Sequence, residues 1–264
     1  MSITFDQYIA NPMQKQGAVF SLIAREAQRK DYTTRFNNIL LRENGKINFY
    51  LYKNREKNEY FIHIKIPSEP IKKFYYDVVI KFYADSSVKD LGRSLNKFNV
   101  QFFSNDPAFV FTFAYVFNKN NLLVKELQSK MSSKAIKTAA KEKNPENIIG
   151  YVKSLFFAYI FMSNRGLFSI LQWNDAEDFN KEKLLSKVTD ADTMIERRQE
   201  EEKKLDRHKK LVLDKKTTDT LVKKYKISER AKDRIVGTTT KTPTVKKTKS
   251  INSSRIIGKG KKSK

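Results

Sequence analysis

Apolar positions change their period along this chain, and each change marks a new element. Val19, Phe20, Leu22, Ile23 and Ala27, then Phe36, Ile39 and Leu40, recur at helical spacing. This predicts one or two helices ending at the turn signal Asn44-Gly45. From Lys46 the period becomes two, with Ile47, Phe49 and Leu51 on one strand face and Asn48, Tyr50 and Tyr52 on the other. The charged residues 53–58 read as a hairpin connection, because Tyr60, Ile62, Ile64 and Ile66 then alternate with Phe61, His63 and Lys65 up to Pro67. A third strand is predicted near Tyr75–Tyr83, with Val78, Ile80 and Phe82 on one side, and a fourth over 99–103. Such a meander buries one face and calls for a helical layer over it.

That layer is expected next. Ser104-Asn105-Asp106-Pro107 offers a polar cap with Pro in the first turn, leading into Phe109, Val110, Phe113 and Phe117, although their β-branched and aromatic content also admits a strand. Further helices are predicted over 122–131, 132–141 and 146–163, and the core is expected to end between Trp173 and Asn180. Beyond it, 189–212 reads as a solvated helix with opposite-charge pairs such as Glu200 with Lys204 and Asp206 with Lys210. Residues 236–264 hold nine Lys or Arg and no Asp or Glu, among Thr, Ser and Gly. That is the composition of a disordered arm. The predicted architecture is an α+β core domain at 1–180, a charged helical extension at 181–235 and a disordered basic tail at 236–264. Within the core, an antiparallel sheet of about four strands (residues 46–103) packs with N-terminal and C-terminal helices.

Charge sharpens this picture. The chain carries 53 Lys and Arg against 29 Asp and Glu, net +24, which favours a polyanionic partner, nucleic acid first among them. Residues 181–264 account for +15 of that, with 27 basic and 12 acidic residues, and the core for the remaining +9. The first residues have no basic flank or apolar signal core, which argues against a cleaved leader. The longest apolar stretches, 107–117 and 155–162, fall well short of the roughly 18 to 20 residues that cross a bilayer, so no membrane partner is expected.

Candidate chemistry is sparse. No cysteine is present, which excludes disulfides, thiolate metal sites and a cysteine nucleophile. The two histidines, His63 and His208, have no metal-ligand spacing. The eight glycines form no phosphate-cradling loop, and Gly258 and Gly260 lie in a tail without the flanking strand and helix such a loop needs. Asp77 and Lys81 are the nearest approach to a metal-dependent nuclease site, but positions i and i+4 of a strand lie roughly 13 Å apart. No catalytic, cofactor-binding or metal-ligating residue is therefore assigned, and no cofactor is expected. Tyr50, Tyr52, Tyr75, Tyr83 and Phe61, with Lys53, Lys65, Lys72, Lys73 and Lys81, form a base-stacking outer sheet face, pack beneath a second helical layer, or form a protein interface. The residues assigned to nucleic acid are the arm cations Lys241, Lys246, Lys247, Lys249, Arg255, Lys259, Lys261, Lys262 and Lys264. They would act by counterion release, without reading sequence.

Two segments, Phe5-Asp6-Gln7-Tyr8-Ile9-Ala10-Asn11-Pro12-Met13 and Phe103-Ser104-Asn105-Asp106-Pro107-Ala108-Phe109-Val110-Phe111-Thr112, resemble parts of structural proteins of tailed bacteriophages. The Lys-, Asn- and Ile-rich composition is similar to that of phages with AT-rich genomes. The resemblance spans most of residues 1–180. It implies a non-enzymatic virion or virion-assembly component, found in the virion or the host cytoplasm, and it carries no catalytic motif. The expected partners are other structural subunits in a homo-oligomer and nucleic acid, DNA foremost, bound without sequence specificity. A free cytoplasmic nucleic-acid-binding or genome-organising protein is the alternative, and a metal-dependent nuclease using Asp77 a third.

Overall fold

The computed structural model describes residues 3–10, 14–15, 18–19, 22–84 and 94–225. Its chain divides into two units, Met1–Lys204 and Leu205–Lys264. In the first, α1 spans Phe5–Ala10, and a short antiparallel ladder pairs β1, Gln14–Lys15, with β2, Ala18–Val19. The helix α2, Leu22–Arg42, ends at the predicted signal: Asn44 and Gly45 take left-handed φ values of 54° and 71°. The Gly45 N–H there donates to Leu40 O at 2.7 Å, satisfying a carbonyl of the last turn.

The predicted meander is present. Strands β3 (Phe49–Asn54), β4 (Glu59–Pro67), β5 (Tyr75–Tyr83) and β6 (Asn99–Ser104) pair antiparallel in chain order. The sheet differs from the expected four antiparallel strands in one respect. A fifth strand, β7 (Glu177–Asp178), adds to β3 in parallel, so the sheet is mixed, with order β6-β5-β4-β3-β7. Two residues of strand carry too little periodicity to be read in advance. The other edge is occupied as well: Phe102 N–H donates to Leu122 O, and Val124 N–H donates to Phe102 O, at 2.7 and 3.1 Å. This takes up hydrogen-bonding groups that an edge strand otherwise offers to other chains.

The helices after β6 are shorter than their apolar spacing suggests, for local reasons. Asp106 caps α3 (Pro107–Thr112), accepting from Ala108 N–H at 3.0 Å, and α4 (Ala114–Lys119) follows it. Of the helix expected over 122–131, only a 3₁₀ helix at Lys125–Lys130 forms, because 122–124 is held to β6. A single turn, α5 (Ser133–Lys137), replaces the helix expected over 132–141. The helix expected from residue 146 starts later, as α6 (Lys153–Asn164). Asn144 captures the preceding loop: its amide oxygen accepts from Ile148 N–H and its Nδ2 donates to Ile148 O, both at 2.9 Å. Such bonds compete with helix formation.

α6 is buried along nearly its whole length, with Leu155, Phe156, Phe157, Ala158, Ile160, Phe161 and Met162 inside. It packs Phe157 on Phe36 of α2 and Phe161 on Phe49 of β3, each with ring centroids 5.3 Å apart. Ile62, Ile64, Val78, Ile80, Phe82 and Phe102 supply the sheet side of this layer. After β7 come α7 (Lys181–Lys187) and α8 (Ala191–Tyr225), the latter crossing the division between the units. Leu184, Val188, Ala191 and Met194 are buried, so the first unit continues past residue 180. No helix among the described residues is long and apolar enough to cross a membrane. The predicted tail, 236–264, lies outside the described residues.

Phe5 joins α1 to this core, its ring centroid lying 5.4 to 6.1 Å from those of Tyr8, Phe82, Phe102, Tyr159 and Phe168. Phe5→Ala therefore leaves a cavity ringed by aromatics. Urea denaturation is expected to show a loss of about 3 to 5 kcal/mol, through a lower midpoint at unchanged m. A loss below about 1 kcal/mol would mean that α1 is not part of the cooperative core.

Candidate functional site

Alternate positions of β3 to β6 face away from α6, and this is the surface on which the sequence places an aromatic and lysine-rich candidate. The structure closes it with a second layer made of α7 and the 3₁₀ turn Lys125–Lys130. Phe61 stacks on Phe179 with centroids 4.1 Å apart and planes at 11°, and Tyr52 and Phe61 are fully buried. Lys187 of α7 lies over Tyr50, its Nζ 3.8 Å from the ring centroid. Lys53 belongs to the opposite face, where its ammonium donates to Trp173 O and Asn174 O. Tyr75, at the start of β5, stays exposed and donates to Glu43 Oε2 at 3.1 Å, and Lys72 and Lys73 stay exposed beside it. Of the arrangements the residues admit, the covered one is adopted, and no continuous base-stacking face remains there.

Beneath this layer lies Asp77, 1% exposed. Its Oδ1 accepts from His63 Nε2 at 2.8 Å and from Lys65 Nζ at 3.1 Å, and its Oδ2 accepts from Asn105 Nδ2 and from Thr189 N–H, both at 3.0 Å. Asn105 also accepts from Asp77 N–H at 2.8 Å. Burial pushes the carboxyl up, but the hydrogen bond and charge of His63, the Lys65 ammonium and the Thr189 N–H outweigh it and hold the group below its ordinary value. The His63 ring is itself fully buried and lies against Tyr50, with its Nδ1 unpartnered. With both oxygens occupied by protein donors, the chemistry of Asp77 here is that of a clamp joining β4, β5, residue 105 and the segment entering α8.

Lys81, four residues along β5, is held separately. Its Nζ lies 2.8 Å from Glu59 Oε1 and 2.7 Å from Glu126 Oε1, and 5.1 Å from the Phe61 ring centroid. Asp77 and Lys81 thus share a face without sharing partners. Among the described residues, no group of three or more His, Asp or Glu is placed to hold a metal ion. His208 lies exposed on α8, and the nine arm cations assigned to nucleic acid lie outside the described residues.

The sequence reading did not identify Asn105 and Thr189 as partners of Asp77. One sign was available, since Lys65 and Asp77 are cross-strand partners in the β4–β5 register that the hairpin pattern implies. The contribution of Thr189, a backbone N–H 112 positions away, has no sequence signature. No family model matches the chain, and neither a curated protein nor a solved structure matches it.

The clamp predicts a pH-dependent stability. Asp77→Asn replaces one acceptor oxygen with an NH₂ that faces donors, and is expected to cost about 3 kcal/mol at pH 7. Because the folded carboxyl lies below its unfolded value of about 3.9, its contribution is fully present above that value and is lost as pH falls through the folded one. Thermal unfolding across an acid titration should show the native chain converging on the variant at the acid end. A gap that is constant with pH would refute the ionic clamp.

Proposed function

We infer that this protein is a non-enzymatic structural or assembly protein of the tailed-phage type, whose folded unit makes protein contacts and whose basic C-terminal arm contacts nucleic acid. The observation that carries this reading is the distribution of charge. Residues 205–264 contain 20 Lys or Arg and five Asp or Glu, net +15, whereas residues 181–204 balance at seven of each. Within the first unit, buried cations have carboxylate partners, as Lys81 has Glu59 and Glu126. In 236–264 there is no acidic residue to neutralise the nine cations.

Further support comes from the placement of the two phage-like segments. The first contributes α1, whose Phe5 and Tyr8 are fully buried, and the second runs from β6 through the Asp106 cap into α3. Both contribute buried residues to the packed core of the first unit. The unit would bind neighbouring copies or other structural subunits in the virion, or in the host cytoplasm before it is completed. The arm would bind DNA by neutralising phosphates without regard to sequence.

The test is binding of double-stranded DNA by the full chain and by a full-length variant carrying Gln at the nine arm positions. The native chain should lose affinity by at least about a hundredfold between 50 and 200 mM salt, and the variant should bind weakly with a much shallower slope. Equal binding by the two proteins would remove the arm from the contact. Light scattering should give a fixed oligomer, and a monomer at every concentration would instead support a free genome-organising protein.

A further inference from the structure

The first unit carries its own uncompensated charge, concentrated in one segment. Residues 119–143 contain seven lysines against Glu126 and Glu142. Glu126 is turned onto Lys81, which leaves Glu142 as the outward carboxylate of the segment. Lys119, Lys125, Lys134, Lys137, Lys141 and Lys143 are exposed, and none forms an ion pair with a described residue. This chain therefore holds a second polycation, in folded structure and separate from the arm.

Within the same region α3, α4 and the α5 segment line a half-open recess of about 250 Å³. Its walls are mainly apolar, from Val110, Phe111, Tyr115, Ala135 and Ala139, and Thr112, Ser132 and Thr138 also line it. Phe111 is 46% exposed, a large aromatic ring presented to solvent at the cavity. Lys143 Nζ lies 5.4 Å from the centroid of that ring, and Lys134 also lines the cavity. An aromatic-walled recess of this size, with hydroxyls for hydrogen bonding and cations beside it, matches a planar aromatic ligand attached to an anion.

We propose that this face binds single-stranded nucleic acid, with one base inserted into the cavity against Phe111 and the flanking phosphates held by Lys134, Lys137, Lys141 and Lys143. Aromatic stacking accepts any base, because every base offers a π-face, and lysines following a backbone act as point charges that read no sequence. The cations here are lysines throughout, without the arginine fork that grips carboxylates in two places, so a strand of phosphates fits them better than an acidic peptide. The site stands on its own residues and does not depend on the arm.

The test uses the full chain with Gln at the nine arm positions; because residues 205–235 keep 11 Lys or Arg, the site is read from what substitutions at Phe111 and the lysines of 119–143 change in this background. Fluorescence anisotropy at about 50 mM salt would compare a dodecamer of thymidylate with an abasic strand of the same length. The thymidylate strand should bind more tightly, and Phe111→Ala should weaken it about tenfold while leaving the abasic strand unchanged. Combined Lys134→Gln and Lys137→Gln should weaken both strands. Phe111 and these lysines are exposed, so unchanged thermal unfolding of the variants would confirm that the fold is intact. Equal affinity for the two strands, or no effect of Phe111→Ala, would overturn base insertion. Binding of a Leu- and Glu-rich peptide that is lost with Phe111→Ala, with neither strand bound, would overturn the proposal in favour of a protein partner. The arm is read separately, from the difference between the native and arm-neutralised chains on duplex DNA, so either contact can fail alone.

Discussion

A carboxylate buried as deeply as that of Asp77 must be surrounded by donors, and much of the second face of the sheet follows from meeting that requirement. His63 and Lys65 come from the neighbouring strand, Asn105 from the turn after β6, and the Thr189 N–H from the segment between α7 and α8. Asn105 is also tied to Thr189 O by its amide at 2.9 Å, so the last two donors brace each other. Fixing residue 189 fixes the end of α7, and with it the layer over Tyr50, Tyr52 and Phe61. Arg198, one further stretch along α8, lies 3.9 Å from Asp106 and over the Tyr76 ring, extending the same attachment.

The two faces of the sheet are stabilised by different physics. Toward α6 the contacts are aliphatic and aromatic, and burial of apolar area dominates there. Toward α7 the face mixes rings with ionised groups, and its specificity comes from matching each charge: Asp77 by four donors, Lys81 by two carboxylates. Positions with several partners tolerate few alternative packings, which suits a surface made of one strand pair and a segment from far along the chain. The lysines of 119–143 that have no ion-pair partner among the described residues lie elsewhere, at the surface. Attraction for polyanions is thereby kept outside the packed interior, where uncompensated charge would be costly.

Much of the first layer was legible in the sequence. The end of α2 at Asn44-Gly45, the alternation in β4 and β5, and the Asp106-Pro107 start of α3 are all local: a left-handed turn, a two-residue period and a capping oxygen involve residues within a few positions of one another. Where apolar spacing alone was used, the prediction overran. Residues 122–124 gave their backbone groups to β6 in place of a helix, and Asn144 held back the start of α6. Of the candidate nucleic-acid residues, the arm cations are proposed on composition alone. The lysines of 119–143 and the exposed ring of Phe111 were present in the same composition, but hidden by reading their segments as ordinary helices.

By itself the sequence determined which strand positions share a face, where the local caps and turns fall, and how unevenly positive charge is distributed, because each of these is set by neighbouring residues or by simple count. Tertiary structure decided that β7 joins the sheet in parallel, that α7 covers the aromatic face, and that Asp77 is a clamp. Those features rest on contacts between residues far apart in the chain, such as Thr189 with Asp77, 112 positions away, and Lys53 with Trp173, 120 positions away. Their partners are chosen by packing and by the need to satisfy buried polar groups, and no local pattern encodes that choice.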